Sequence, residues 1–208
     1  KHLAHGVAGK PGVVGLMGCA WFTADPEHPD RSEAAHRSAF YPDIIDGNFG
    51  PPHCWLVPTV LVRKVDGFCE TMRWFEDWDM WWRIGLEASG LVSVDYIGAR
   101  YRQHAQSQLA TTSLTNRTRG HAALMTRMTA ALLARPDVLA QSGDRLFWCA
   151  WAALTRAKAN SVPWSELQPL AANVSKVAKL GPISVQRSMM ARAVRWFGAR
   201  PAMVLQRR

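Results

Sequence analysis

Three patterns along the 208 residues predict a mixed α/β fold that gives way to an all-helical region. Short apolar runs at 13–22 and 53–63 are the right length for buried strands. The stretch 74–88 repeats its apolar residues at helical period and is followed by strand residues at 91–101, with Val92, Val94 and Tyr96 on one side. From about Thr112 onward the strand signal ends, and helical patterns at 116–134, 144–159, 164–180 and 184–196 are punctuated by Pro136, Pro163, Pro182 and Pro201. The order strand, strand, helix, strand calls for a mixed sheet over 1–110, with a helical region over 111–208 and the boundary at 109–114.

The remaining segments follow from turn chemistry. Residues 1–9 read as the end of a helix, closed by Lys10-Pro11-Gly12. The polar, proline-bearing segment 23–38 reads as a surface loop, with His28 and His36 as solvated residues rather than metal ligands. A short helix is expected at 41–49 before the Gly50-Pro51-Pro52 turn, and 65–72 is a turn that carries Gly67.

Composition narrows the class. Hydrophobic residues make up 48%, enough for a sizeable core and too many for a disordered chain. The ten tryptophans serve either a large core or a sugar-stacking cleft. No apolar run is long enough to span a bilayer, and the chain opens on Lys1 without a signal-like segment. We therefore expect a piece of a longer protein, cytoplasmic or peripheral on the inner face of the membrane. Cys19, Cys54, Cys69 and Cys149 form no CxxC pair, so reduced, mostly buried thiols are expected rather than a zinc site. The sequons at Asn116 and Asn173 are read as chance matches. Residues 1–110 carry 10 Lys/Arg and 13 Asp/Glu, a balance of −3, whereas 111–208 carry 15 and 3, a balance of +12. Such asymmetry points to different surroundings for the two parts.

The most informative stretch is EDWDMWWR, from Glu76 to Arg83, with YRQH at Tyr101–His104 closing the strand that follows. Glu76, Asp77 and Asp79 sit in a first helical turn, where free N–H groups favour carboxylates. Helical winding places Trp78, Trp81, Trp82, Gly85 and Leu86 on one face, and Glu76, Asp79, Arg83 and Glu87 on the other, with Asp79–Arg83 an i,i+4 pair. Asp77 falls at the edge of the apolar stripe beside Ile84, where partial desolvation raises a carboxyl pKa toward that of a general base. Spacing alone is equally met by a capped amphipathic helix with ordinary first-turn acids.

The ordered set Asp46-Gly47-Asn48-Phe49, PTVLVR at 58–63, Gly67-Phe68, EDWDMWWR, Gly90, YRQH and Ser107 resembles the C-terminal half of an inverting family-two glycosyltransferase with a GT-A fold. The resemblance covers about 1–109, with specific motifs from Asp46 onward, and the connection between Arg63 and Gly67 is shorter than the family's. It implies the C-terminal half of a GT-A (nucleotide-diphospho-sugar transferase) mixed sheet, followed by the helical tail. It implies Asp77 as the base and Glu76 as its catalytic neighbour, Arg102 and His104 as contacts to the donor diphosphate, and Trp74 and Trp78 as acceptor-binding rings. In some relatives the residue matching His104 is a metal ligand instead. A UDP- or GDP-sugar donor, a saccharide or lipid-linked acceptor and a divalent metal (Mg2+ or Mn2+) follow from the same resemblance. The family's nucleotide-binding half with its Asp-x-Asp is not found here; the only similar string is Asp77-Trp78-Asp79. The expectation is thus an acceptor and base half that is inactive alone. The alternative is a non-catalytic module that docks on an anionic membrane through its basic tail, where 184–196 forms a basic amphipathic helix. No nucleic-acid motif is present, so nucleic acid is not an expected partner.

Overall fold

The computed structural model describes residues 7–180. Most of the expected first helix and all of 184–196 lie outside them. The described residues form two compact units that divide between Thr112 and Ser113, except that Met72–Phe75 belongs with the helical unit.

The first unit is mixed α/β. Its elements are β1 (Val13–Phe22), β2 (Arg31–Glu33), β3 (Trp55–Leu56), α1 (Thr59–Lys64), α2 (Glu76–Glu87), β4 (Gly90–Arg102) and α3 (Gln108–Thr111), with 3₁₀ turns at Asp43–Ile45 and Pro52–Cys54. β1 is the centre of a four-stranded sheet. β4 runs parallel to β1 along its whole length, from Val13 against Gly90 to Phe22 against Arg102. A strand has two edges, so β3 and β2 share the other one: β3 pairs antiparallel at Gly15–Leu16, and β2 pairs antiparallel at Cys19–Trp21. The sheet is therefore mixed. Gly18 is required where β1 passes β2, because a Cβ there would lie 2.5 Å from the Glu33 carbonyl.

Four expectations for this unit need correction. Residues 53–63 do not form a strand: a 3₁₀ turn and a two-residue strand lead into α1, a short helix that buries only Leu61. A brief apolar run cannot be assigned by periodicity alone. Pro58, at φ −58°, adopts the backbone that precedes a first helical turn. Likewise 41–49 holds only one 3₁₀ turn, and β2 lies within the expected surface loop.

The core of this unit is aromatic. Trp55 stacks on Trp81 with centroids 4.7 Å apart, and Phe40, Phe49 and Phe68 extend the cluster. The tryptophans of EDWDMWWR are thus core residues. Gly85 admits Phe40, since a Cβ there would come within 2.8 Å of the Phe40 ring. The fourth correction concerns the polar face of α2. Asp79 has 0% exposure, and Arg83 is mostly covered. Arg83 Nε donates to Asp79 Oδ2 at 2.9 Å and its Nη2 lies 2.8 Å from the same oxygen, while its guanidinium also donates to the carbonyls of Val65 and Gly67. Those carbonyls belong to the turn after α1, where Asp66 and Gly67 have φ of 57° and 62°. The ion pair faces inward because that turn covers it.

The second unit is a bundle of three helices, α4 (Leu114–Leu133), α5 (Pro136–Ala159) and α6 (Trp164–Leu180). α5 starts at Pro136, eight residues before the expected 144, because proline is favoured in a first turn and the polar stretch through Gly143 continues the helix. Ser113 caps α4 through the Asn116 N–H. Asn173 donates to the Thr126 carbonyl and to Thr129 Oγ1, so the sequon asparagine makes a partly buried interhelical contact. Gly120 makes room for Trp74, whose Cβ would be 2.6 Å from an added methyl. His121 lies beside the Phe75 ring, and burial, with Arg156 nearby, pushes its pKa down to about 4. Among the described residues no helix is long and apolar enough to cross a membrane.

Two stability predictions follow. Arg83→Met leaves the Asp79 carboxylate buried without its partner and should cost about 3–5 kcal/mol, whereas Asp79→Leu combined with Arg83→Met should recover most of that loss. Urea unfolding monitored by circular dichroism provides the measurement; equal losses in the single and double variants would show that the pair does not act as a unit. For His121 the folded pKa lies below the unfolded value of 6.5, so the unfolded chain takes up the proton first. Stability should fall as pH drops through 6.5 toward about 4, by on the order of 3 kcal/mol, and His121→Phe should flatten that slope.

Candidate functional site

The site is built around the start of α2. Trp78 enters the core at 6% exposure, and its indole N–H donates to the Ile44 carbonyl at 2.7 Å. That bond fixes the 3₁₀ turn Asp43–Ile45 against α2. The chain then continues through Asp46-Gly47-Asn48 and is held again at Gly50, whose carbonyl accepts from Trp55 Nε1 at 3.0 Å. Asn48 Oδ1 accepts from the Gly50 N–H at 3.3 Å, which orients its amide. The other end of that amide, Nδ2, donates to Asp77 Oδ2 at 2.7 Å. Asp77 Oδ1 accepts from the Trp78 N–H at 2.7 Å. Both carboxylate oxygens are therefore aimed by fixed donors, and each retains a second lone pair.

Desolvation raises the Asp77 pKa above the ordinary aspartate value, against the opposing pull of the Trp78 N–H and the Asn48 amide. Glu76 is raised as well, first by burial and then by the Asp77 charge. Two adjacent half-buried carboxyls, each with its pKa raised by burial, are stronger bases than ordinary surface carboxylates. Asn48 is the residue that motif reading underuses. It lies within the Asp46–Phe49 string, but the string does not reveal which carboxylate its amide holds.

The other expected site residues fall elsewhere. Arg102 and His104 are exposed at the end of β4, anchored by the Gln103 N–H to the Phe22 carbonyl. Among the described residues no hydrogen bond or ion pair joins either side chain to Asp77. Trp78 is corrected from an acceptor platform to a core anchor, because its ring is buried and its N–H is used. Trp74 is half-buried and belongs to the helical unit, against Gly120. Asp79 is engaged by Arg83, so Asp77-Trp78-Asp79 offers no carboxylate pair to a metal ion. His104 joins no group of three metal-ligand side chains among the described residues. No protein-family model matches the chain, and no curated protein or solved structure matches it significantly.

The raised Asp77 pKa has a measurable signature. A carboxyl whose folded pKa exceeds its unfolded value stabilises the fold below the unfolded pKa and loses that contribution as pH rises through the folded one. Asp77→Asn keeps the shape and removes the buried charge, but its single oxygen accepts from only one of the two donors, the Asn48 amide and the Trp78 N–H. That lost bond is independent of pH, so the urea midpoint of the variant relative to wild type should be higher at pH 7 than below the ordinary aspartate range. A relative midpoint that does not change between those two conditions would mean that desolvation does not dominate at this carboxyl.

Proposed function

We propose that this chain is the acceptor- and base-bearing part of an inverting glycosyltransferase that uses a nucleotide-sugar donor. The observation that carries the reading is Asp77: a desolvated carboxylate at the first turn of α2, aimed by the Asn48 amide and the Trp78 N–H. The ordered motifs from Asp46 to Ser107 support it.

In this reading Asp77 accepts the proton of an acceptor hydroxyl as that oxygen attacks the anomeric carbon. The bond from the anomeric carbon to the diphosphate breaks on the opposite face, and configuration inverts. Asn48 holds Asp77 in position, and its hydrogen bond favours the ionised form that accepts a proton. Glu76 adds negative potential beside the base, and so favours the proton once it is transferred. Arg102, exposed at the end of β4, is suited to fork onto phosphate oxygens, and His104 to add a further N–H. The resemblance puts the metal's Asp-x-Asp carboxylates in the nucleotide-binding half, and Asp79 is held by Arg83, so no step is assigned to a metal held by these residues.

The test is a transfer assay in a polypeptide that joins this chain to a nucleotide-binding half. Asp77→Asn should lower kcat by roughly 10²–10⁴ with a preserved fold, and activity within about threefold of wild type would exclude Asp77 as the base. Asn48→Ala removes a bond that favours the ionised form, so the acidic limb of the kcat/KM profile should move to higher pH. A limb that stays in place or moves to lower pH would exclude Asn48 as the residue that tunes the base.

A further inference from the structure

Cys19 and Cys54 are far apart in sequence, and folding brings them together. Leu16 of β1 pairs with Trp55 of β3, so Cys54, one residue before Trp55, lies close to Cys19, three residues after Leu16. Both thiols are buried, at 2% and 1% exposure. His53 sits next to Cys54 in the 3₁₀ turn, exposed, with its ring stacked on Tyr101 at 5.7 Å. One donor atom from each of Cys19, His53 and Cys54 lies within 4.8 Å of the other two.

We propose that Cys19, His53 and Cys54 form a three-ligand site for zinc(II), with the fourth position open on the exposed His53 side. The geometry supports a tetrahedral ion: Zn–S near 2.3 Å and Zn–N near 2.0–2.1 Å put neighbouring donors roughly 3.5–3.8 Å apart. Closing from 4.8 Å asks for a shift of about 1 Å, which His53 can supply because its side chain lies at the surface. The charge fits as well. Burial disfavours each thiolate by itself, and pushes the Cys54 thiol up to about 12. Two thiolates with one divalent cation make a neutral complex that burial does not penalise in the same way. Two sulfurs and an imidazole suit a thiophilic ion and are a poor match for Mg2+ or Ca2+, which take oxygen ligands. This site is separate in residues and chemistry from Asp77, and does not depend on the glycosyl-transfer reading.

The test uses the whole chain, reduced and stripped of metal. Zinc binding is measured by competition with a chromophoric chelator, and cobalt(II) substitution is followed by its thiolate charge-transfer absorption. A single equivalent of zinc should bind with micromolar or tighter affinity, and the cobalt band should indicate two thiolates. Cys19→Ser and Cys54→Ser should each weaken zinc by about a hundredfold or more. Because those changes fall in the core, His53→Gln is the decisive companion; its exposed position leaves the fold intact, and it should weaken zinc by about tenfold or more. Absence of a cobalt–thiolate band in the wild type, or zinc affinity unchanged in His53→Gln, would overturn the site.

Discussion

The Asp79–Arg83 pair governs the first unit. A single guanidinium serves three acceptors: the carboxylate one turn back on α2 and the two carbonyls of the turn after α1. Those carbonyls lie on either side of Asp66 in a turn whose Asp66 and Gly67 have positive φ. Without Arg83 the turn loses its cover and the carboxylate its counter-ion, and of the ion pairs in this region Lys64–Glu87 still joins α1 to α2. A buried pair of this kind adds little net stability compared with apolar residues of similar shape. Its effect is to set which face of α2 turns inward, and thereby the direction in which Asp77 points. The charged residues of the EDWDMWWR string are thus divided by surroundings: Asp79 and Arg83 pair under the turn after α1, and Asp77 instead accepts from Asn48 and from the Trp78 N–H.

The aromatic residues show a similar division. Trp78 and Trp55 each place one apolar ring in the core and one N–H on a loop carbonyl, Ile44 and Gly50 respectively. Between those two bonds lies the loop that carries Asn48. The loop is held by ring burial at both ends, so a polar side chain is presented from a backbone with little freedom. That is the kind of support a positioned base requires. Among the described residues, Trp55, Trp78, Trp81, Trp82 and Trp151 are buried in the cores of their units.

Sequence patterns revealed the long elements and little of their mutual arrangement. α2, β1, β4 and α6 are legible because each is long enough for its period to register, or is bounded by glycine and proline. The segment Thr59–Lys64 is not, because six apolar-rich residues satisfy strand and helix alike and Pro58 decides between them. The inward turn of Asp79 is invisible in a helical wheel, since the surface that covers it comes from a different part of the chain. The same holds for Asn48 against Asp77, and for Cys19 against Cys54: each contact spans about thirty residues or more, and spacing has no access to it. Asp77 itself could be singled out, as local winding puts it at the margin of the apolar stripe.

β4 has a consequence for behaviour in solution. It is the longest strand, and among the described residues its one partner is β1, which leaves a flank of unpaired backbone donors and acceptors. Such a flank can template addition of a further strand from another molecule, and so seed self-association. Two features of β4 oppose this. The register shifts between Met17 and Cys19 break its regular spacing, and Asp95, Arg100 and Arg102 stand exposed along it, with Arg100 paired to Glu27. Tyr96, 58% exposed, is the one large apolar side chain of β4 that is exposed. The irregular, charged strand guards the sheet against association through the same backbone that would otherwise invite it.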